Sequence, residues 1–373
     1  MPDHVLIAPD KFKGSLTAPE VAEAVAAGIR RVRPDVEARP APVADGGDGT
    51  VQAALSSGYQ AVPALVTGPV GDPVQTEFAL LGETAVLELA SASGLDLLDE
   101  GELFPLGASS DGTGELVRAA LDAGARTIVL GVGGSACTDG GAGMLAALGA
   151  GVFDESGYPL PPGGGQLARV SSVDLSGLDP RLQETTVILA SDVDNPLLGA
   201  SGAARVYGPQ KGADPDQAEL LDAALGRWSR AVVAAGGRDV AEAPGAGAAG
   251  GVGYAALAVL SAQPRSGVDE VLELVGLDAE LAGARLVVTG EGSLDEQTLS
   301  GKAPAGVVAR AVAAGVPAVA VAGRCELTEE RLREAGFART YALREIEPDP
   351  QLSVRNAAEL LGVLGERLAR DWL

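Results

Sequence analysis

The chain has 373 residues, a formal net charge of −24 and only 3% aromatic residues. Its length suggests two domains. So acidic a surface repels phosphate backbones and anionic lipid, and so few aromatics offer little for base stacking, which excludes nucleic-acid and membrane-surface partners.

The two cysteines, Cys137 and Cys325, stand far apart without a CxxC, so no disulfide framework or zinc cluster follows. The opening MPDHVLIAPDK lacks a basic region followed by a long apolar one, so it does not read as a signal peptide. The longest uncharged stretch, Ala243–Pro264, is broken by Gly and Pro and makes a poor membrane span. These features predict a cytoplasmic protein. His4, the single histidine, is read as lying before the first strand, which argues against a Ser/His/Asp triad or a histidine-rich metal site.

In chain order, Val5–Ala8 reads as a short buried strand and Thr17–Val32 as a helix. Val21, Val25, Ile29 and Val32 keep a 3.6-residue period, Thr17 and Glu20 form a capping box, and Pro34 follows the end. Tyr59–Val66, Gln75–Leu81 and Ala85–Leu89 are short extended runs joined by Gly/Pro/Asp turns and predict an antiparallel meander. Buried strands are expected at Arg126–Leu130, Thr186–Ala190, Arg285–Thr289 and Ala318–Ala322. Helices are expected at Gly114–Ala123, Gly143–Leu148, Gln217–Ala234, Tyr254–Ala262, Pro304–Ala314 and Ala357–Arg370. Such alternation implies parallel βαβ units and an α/β fold. Residues 1–60 and 270–373 resemble each other in style. They predict a discontinuous α/β domain with residues 61–269 inserted as a second domain.

The loops carry the chemistry. The chain has 23 Arg and only four Lys, and Lys13, Lys211 and Lys302 each adjoin a glycine. A compact ammonium beside flexible backbone suits phosphate binding. APDKFKGSLTAPE puts Lys11 and Lys13 between a strand end and a capped helix, an anion-binding arrangement. VADGGDGT sets Asp45 and Asp48 in a glycine-rich loop, where carboxylates hold a cation, accept a proton or simply form turns.

IVLGVGGSACTDGGAGML packs six glycines between Gly131 and Gly143. Gly131–Ala136 fits the dinucleotide fingerprint, with Asp154 at the spacing of a ribose-binding acid. Cys137–Gly141 nevertheless makes a poor first helical turn, and Asp139 would sit beside a pyrophosphate unless Mg²⁺ lay between them. The expected ligand-facing residues here are Gly133, Gly134, Ser135, Asp139, Gly140 and Gly141. GAGAAGG (Gly245–Gly251) is a weak fingerprint, since no apolar strand precedes it. SDVDNPLLG follows a buried strand and offers Asp192, Asp194 and Asn195 as oxygen ligands for Mg²⁺, and GPQKGAD then delivers Lys211. VVTGEGSLDEQTLSGKAPAG ends a strand in Gly290 and Glu291, continues through Asp295 and Glu296, and reaches Lys302 at a helix start. It is not a Walker A loop, because Glu296 stands where glycine is required and Ala303 where Ser/Thr is required. Repeated glycine loops paired with carboxylates and lysines point to phosphoryl transfer, which needs positioning and charge neutralisation rather than a covalent nucleophile.

Taken together, APDKFKGSL, VADGGDGT, GVGGSACTDGGAGML, SDVDNPLLG, YGPQKGA, PGAGAAGGVG and TGEGSLDEQTLSGKAPAGV resemble the type I glycerate kinase family, in order from residue 8 to 307. The chain departs from the family pattern at Lys11, Thr138, Asp194 and Ser293. The resemblance implies two α/β domains, one Rossmann-like with a parallel sheet and discontinuous in sequence, the other inserted with a mixed sheet, and an active-site cleft between them. It implies ATP- and Mg²⁺-dependent phosphorylation of D-glycerate, usually to 2-phosphoglycerate, with 3-phosphoglycerate as the alternative product. Lys13, Lys211 and Lys302 are expected to neutralise phosphoryl oxygens or the glycerate carboxylate, Asp192 to meet Mg²⁺, and Asp45 or Asp295 to accept the hydroxyl proton. Two other readings stay open at this point: an NAD-dependent hydroxy-acid dehydrogenase, resting on GVGGSA alone, and a non-catalytic two-lobed metabolite-binding protein. The partners are small molecules, and the chain is a monomer or a homodimer.

Overall fold

The structure is a computed structural model that describes residues 4–99, 101–299 and 301–373. The chain opens with β1 (His4–Pro9), α1 (Ala18–Val32) and β2 (Glu37–Pro40), then β3 (Gln60–Thr67), β4 (Pro73–Leu81) and β5 (Thr84–Glu88). It continues through α2 (Asp111–Asp122), β6 (Thr127–Gly131), α3 (Ala142–Ala147), β7 (Thr186–Ala190), α4 (Pro215–Ala234), α5 (Ala248–Ala258) and β8 (Gln263–Arg265). It closes with α6 (Gly267–Leu274), β9 (Ala284–Leu294), α7 (Ala303–Ala313), β10 (Ala318–Cys325), β11 (Phe337–Ala342) and α8 (Ala357–Trp372).

Two compact units result. The first comprises Met1–Asp45, Gln52–Gly58 and Val268–Leu373, the second Gly46–Val51 and Tyr59–Gly267.

The first unit is built on a parallel sheet ordered β11-β10-β9-β1-β2. Alternation along β1 sends Val5 and Ile7 into a core shared with α1 and α8, and Leu6 and Ala8 into a core shared with α6 and α7. A sheet covered on both faces explains why VLIA reads as a continuous apolar run. Counted along the unit, the strand order is second, first, third, fourth, fifth, and the winding reverses between β1 and β9. The capping box on α1 forms as the sequence implies: Glu20 N–H donates to Thr17 Oγ1, and Thr17 N–H donates to Glu20 Oε2 at 2.8 Å. His4 does not precede the first strand. It lies within β1, buried, with Nε2 2.8 Å from Glu280 O. β9 runs five residues beyond the expected end at Thr289, because Ser293 and Leu294 still pair with Arg324 and Cys325 of β10.

The second unit holds a mixed sheet ordered β8-β7-β6-β5-β4-β3. β3, β4 and β5 form the antiparallel meander, and β5, β6, β7 and β8 run parallel. Its core gathers Leu87, Leu130, Met144, Trp228 and Tyr254. α5 differs from the expected Tyr254–Ala262. It spans Ala248–Ala258, and its first turn contains Ala249, Gly250 and Gly251 with left-handed φ of 52°, 65° and 96°.

Candidate active site

In an open parallel sheet the strand ends on either side of a reversal splay apart and leave a crevice for ligand. In the first unit that point lies between the carboxyl ends of β1 and β9. Asp10 directly follows β1, and its N–H donates to Gly290 O at 2.8 Å. Glu291 stands on β9 one residue beyond Gly290, where a Cβ would fall 1.9 Å from Val321 O and so bar any side chain. Both carboxylates are buried, Asp10 only 7% exposed and Glu291 8%.

Their surroundings differ. Glu291 Oε1 accepts from Thr298 Oγ1, and Oε2 accepts from Lys302 Nζ at 3.3 Å. Burial nevertheless raises the Glu291 carboxyl above its ordinary range. Asp10 Oδ1 accepts the Lys11 N–H at 2.6 Å. Burial foremost, then the Asp45 carboxylate, pushes Asp10 up to about 8, with Glu291 adding and Lys11 opposing. Lys302 is the N-cap of α7, so its ammonium and the positive end of that helix meet at one place.

The sequence-derived candidates of this unit therefore divide. Asp45, Lys11, Glu291 and Lys302 gather at the β1/β9 reversal with Asp10, and Lys13 is exposed on the loop that follows β1. Asp295 is engaged locally: its Oδ1 accepts the N–H of Gln297 and of Thr298, capping the short Glu296–Leu299 helix. Glu296 turns outward to an ion pair with Arg331.

In the second unit, the glycine loop between β6 and α3 is closed on itself. A Cβ on Gly133 would lie 2.7 Å from Gly47 Cα, and one on Gly140 2.6 Å from the Trp228 ring. These glycines thus admit the chain's own backbone and tryptophan. Gly134 and Gly141 take left-handed φ of 71° and 74° in the same turn. Asp139, expected to meet metal or hydroxyl, is 1% exposed and accepts five hydrogen bonds. They come from Ser110 N–H and Oγ (both 2.9 Å), Ser109 Oγ (3.3 Å), and the N–H groups of Gly141 and Gly143 (both 3.1 Å). A resident carboxylate occupies the cradle that the sequence assigned to a ligand. Lys211 departs from expectation in the same way. It is 2% exposed, and Nζ donates to Ser135 Oγ at 2.8 Å and Cys137 O at 2.6 Å. Burial lowers its proton affinity.

The stretch Gly131–Ala136 opens no helix, since α3 begins only at Ala142. Asp154 accepts from the N–H groups of Ser156 and Tyr158 in a local turn. These placements remove the support for a dinucleotide-binding reading. Asp192 is exposed at the end of β7 with Oδ1 accepting Gly267 N–H at 2.9 Å, and Asp194 is exposed as well. Asn195 Oδ1 accepts from the Tyr207 hydroxyl at 2.6 Å and is spent inside the fold.

Among the described residues, no three His, Cys, Asp or Glu side chains gather into a metal cage. Mg²⁺ on a nucleotide does not require one, because it takes one or two carboxylates and completes its shell with phosphate and water. The exposed Asp192 carboxylate suits that demand.

Residues 5–373 match the sequence model of the glycerate kinase family. The chain belongs to the glycerate kinase family. Among named glycerate kinases, that of Bacillus subtilis (strain 168) is 43% identical over 370 residues, covering 98% of this chain and 96% of the relative. The glycerate 2-kinase of Escherichia coli (strain K12) is 44% identical over 322 residues, covering 86% and 84%. A crystal structure from Salmonella typhimurium LT2, assigned as a glycerate kinase 2, matches with a TM-score of 0.86 at 40% identity, covering 100% of this chain and 98% of that one.

Sequence reasoning missed Asp10, which it passed over as part of a basic loop, and Thr298, which holds Glu291. The signal for Asp10 was present: an acidic residue directly after a fully buried strand.

Proposed function

We propose that this glycerate kinase family member transfers the γ-phosphoryl group of ATP to D-glycerate, giving 2-phosphoglycerate. The observation that carries the reading is the β1/β9 reversal, where Asp10, Asp45 and Glu291 meet Lys11, Lys302 and the N-terminus of α7. Phosphoryl transfer passes through a loose transition state whose charge lies on phosphoryl oxygens, so cations and helix N-termini supply most of what the reaction needs.

Lys302, Lys11 and Lys13 take the phosphoryl oxygens or the glycerate carboxylate. Glu291, braced by Thr298, holds the Lys302 ammonium over the α7 N-terminus. Asp192 holds Mg²⁺, which when bound neutralises charge on the nucleotide phosphates. Asp139 and Lys211 act in the second unit as internal braces that keep the glycine loop in shape. The cytoplasm suits the acidic surface, and among the described residues no helix is long and apolar enough to cross a membrane.

The test is ADP release from Mg²⁺-ATP in a coupled assay, with and without D-glycerate. Saturable release that requires D-glycerate supports the assignment. Release indifferent to D-glycerate overturns it.

A further inference from the structure

At the β1/β9 reversal the carboxylates divide between committed and uncommitted oxygens. Both oxygens of Glu291 hold donors, Thr298 on one and Lys302 on the other. Asp295 is drawn into capping its own short helix. Asp10 is 7% exposed, so nine-tenths of the residue is out of water. Its Oδ1 takes the Lys11 N–H, while Oδ2 accepts no hydrogen bond among the described residues. Oδ2 is not one of the sealed side-chain atoms that lack a partner, so water or a ligand reaches it. Here it sits at the point of the sheet where substrate is expected to enter.

We infer that Asp10 accepts the proton of the glycerate hydroxyl during phosphoryl transfer, a role the sequence alone had offered to Asp45 or Asp295. This rests on the kinase reading above. The hydroxyl oxygen forms a bond to the γ-phosphorus as the bond from that phosphorus to the β,γ-bridging oxygen breaks. The bridging oxygen keeps the electron pair and leaves as part of ADP. The hydroxyl proton passes to Oδ2 of Asp10 and is lost to water after product departs.

The charged neighbours support the role. Asp45, on the segment after β2, and Glu291, on β9, disfavour the Asp10 anion, and Lys11 favours it. Burial with these neighbours sets the group at about 8, far above an ordinary aspartate and closer to the working range of a base near neutrality.

The test uses the full chain and its Asp10→Asn and Asp10→Glu variants, with Mg²⁺-ATP and D-glycerate as probes. Asp10→Asn is expected to melt no lower than the wild type and to keep its KM for ATP within about threefold. Its kcat should fall by roughly 10²–10⁴-fold, the usual contribution of a positioned base. The wild type is expected to show a rising limb in the pH profile of kcat/KM for D-glycerate, and that limb should vanish in Asp10→Asn. Asp10→Glu should recover part of kcat and move the limb. A merely structural aspartate would not shift a pH limb or be rescued by glutamate.

Wild-type turnover retained within threefold in Asp10→Asn would overturn the inference and leave the kinase reading intact. An Asp10→Asn loss with an unchanged pH limb would overturn it likewise. Absence of D-glycerate-dependent ADP release in the wild type would remove both.

Discussion

Replacing Asp10 by Asn should cost activity while stabilising the fold, and the size of the gain follows from the burial of the carboxyl. Asp10 stands at about 8 in the folded chain against 3.8 for an unperturbed aspartate. Its folded value is raised, so the native state keeps a proton that the unfolded chain gives up. The stability it carries is complete below pH 3.8 and is lost as pH rises towards 8. One pKa unit corresponds to 1.36 kcal/mol. The native state is therefore weakened by about 2 kcal/mol at pH 5 and about 5 kcal/mol at pH 7.5 relative to acid. Asparagine keeps the shape of the protonated acid and has no proton to lose. Urea unfolding of both proteins at pH 5 and pH 7.5 should thus show Asp10→Asn gaining about 3 kcal/mol on the wild type between the two conditions. Parallel stability profiles would refute the reasoning and return Asp10 to a solvated, ordinary carboxylate.

Three other substitutions separate the site from its scaffold. Lys302→Ala should lower turnover about 10²-fold or more, as loss of a preorganised charge does, while the Tm stays close to wild type, because the ammonium is partly exposed and Thr298 still holds Glu291; normal turnover would remove Lys302 from the mechanism. Asp139→Asn should cost about 3–5 kcal/mol in chemical denaturation, since an amide cannot replace a carboxylate that accepts five hydrogen bonds in the interior, and a variant of wild-type stability would contradict the resident-anion account. Gly133→Ala should cost about 2 kcal/mol, because the new methyl meets the Gly47 backbone at 2.7 Å; an unchanged Tm would show that the Gly46–Gly47 segment yields.

The elements of the fold were largely legible because each is signalled locally. Val5–Ala8 is apolar without break, Thr17 and Glu20 announce α1, and GPVGDP and LGET mark the turns of the meander. The helix before Val252 was not legible. Ala249 is left-handed although it is not a glycine, and its turn is held from outside, Gly140 N–H donating to Gly250 O at 3.0 Å. At the site, the loops that bear Asp45, Glu291 and Lys302 could be picked out by residue type. The separation of ligand-facing from interior groups could not, because it depends on strand order and on which chain segment fills which cradle. Lys211 and Asp139 look like ligand groups in sequence and are consumed by Ser135, Cys137, Ser109 and Ser110 in space. Asp10 looks like a loop residue among lysines and is buried only because β9, nearly the whole chain away, lies beside β1.

The central claim is that this chain moves a phosphoryl group from ATP to a glycerate hydroxyl. ³¹P NMR of the purified protein with ATP, Mg²⁺ and D-glycerate tests it most directly. The account predicts a phosphomonoester resonance of 2-phosphoglycerate growing as the γ-phosphate signal of ATP declines. Intact ATP, or ATP hydrolysed to inorganic phosphate with no phosphoglycerate, would contradict it.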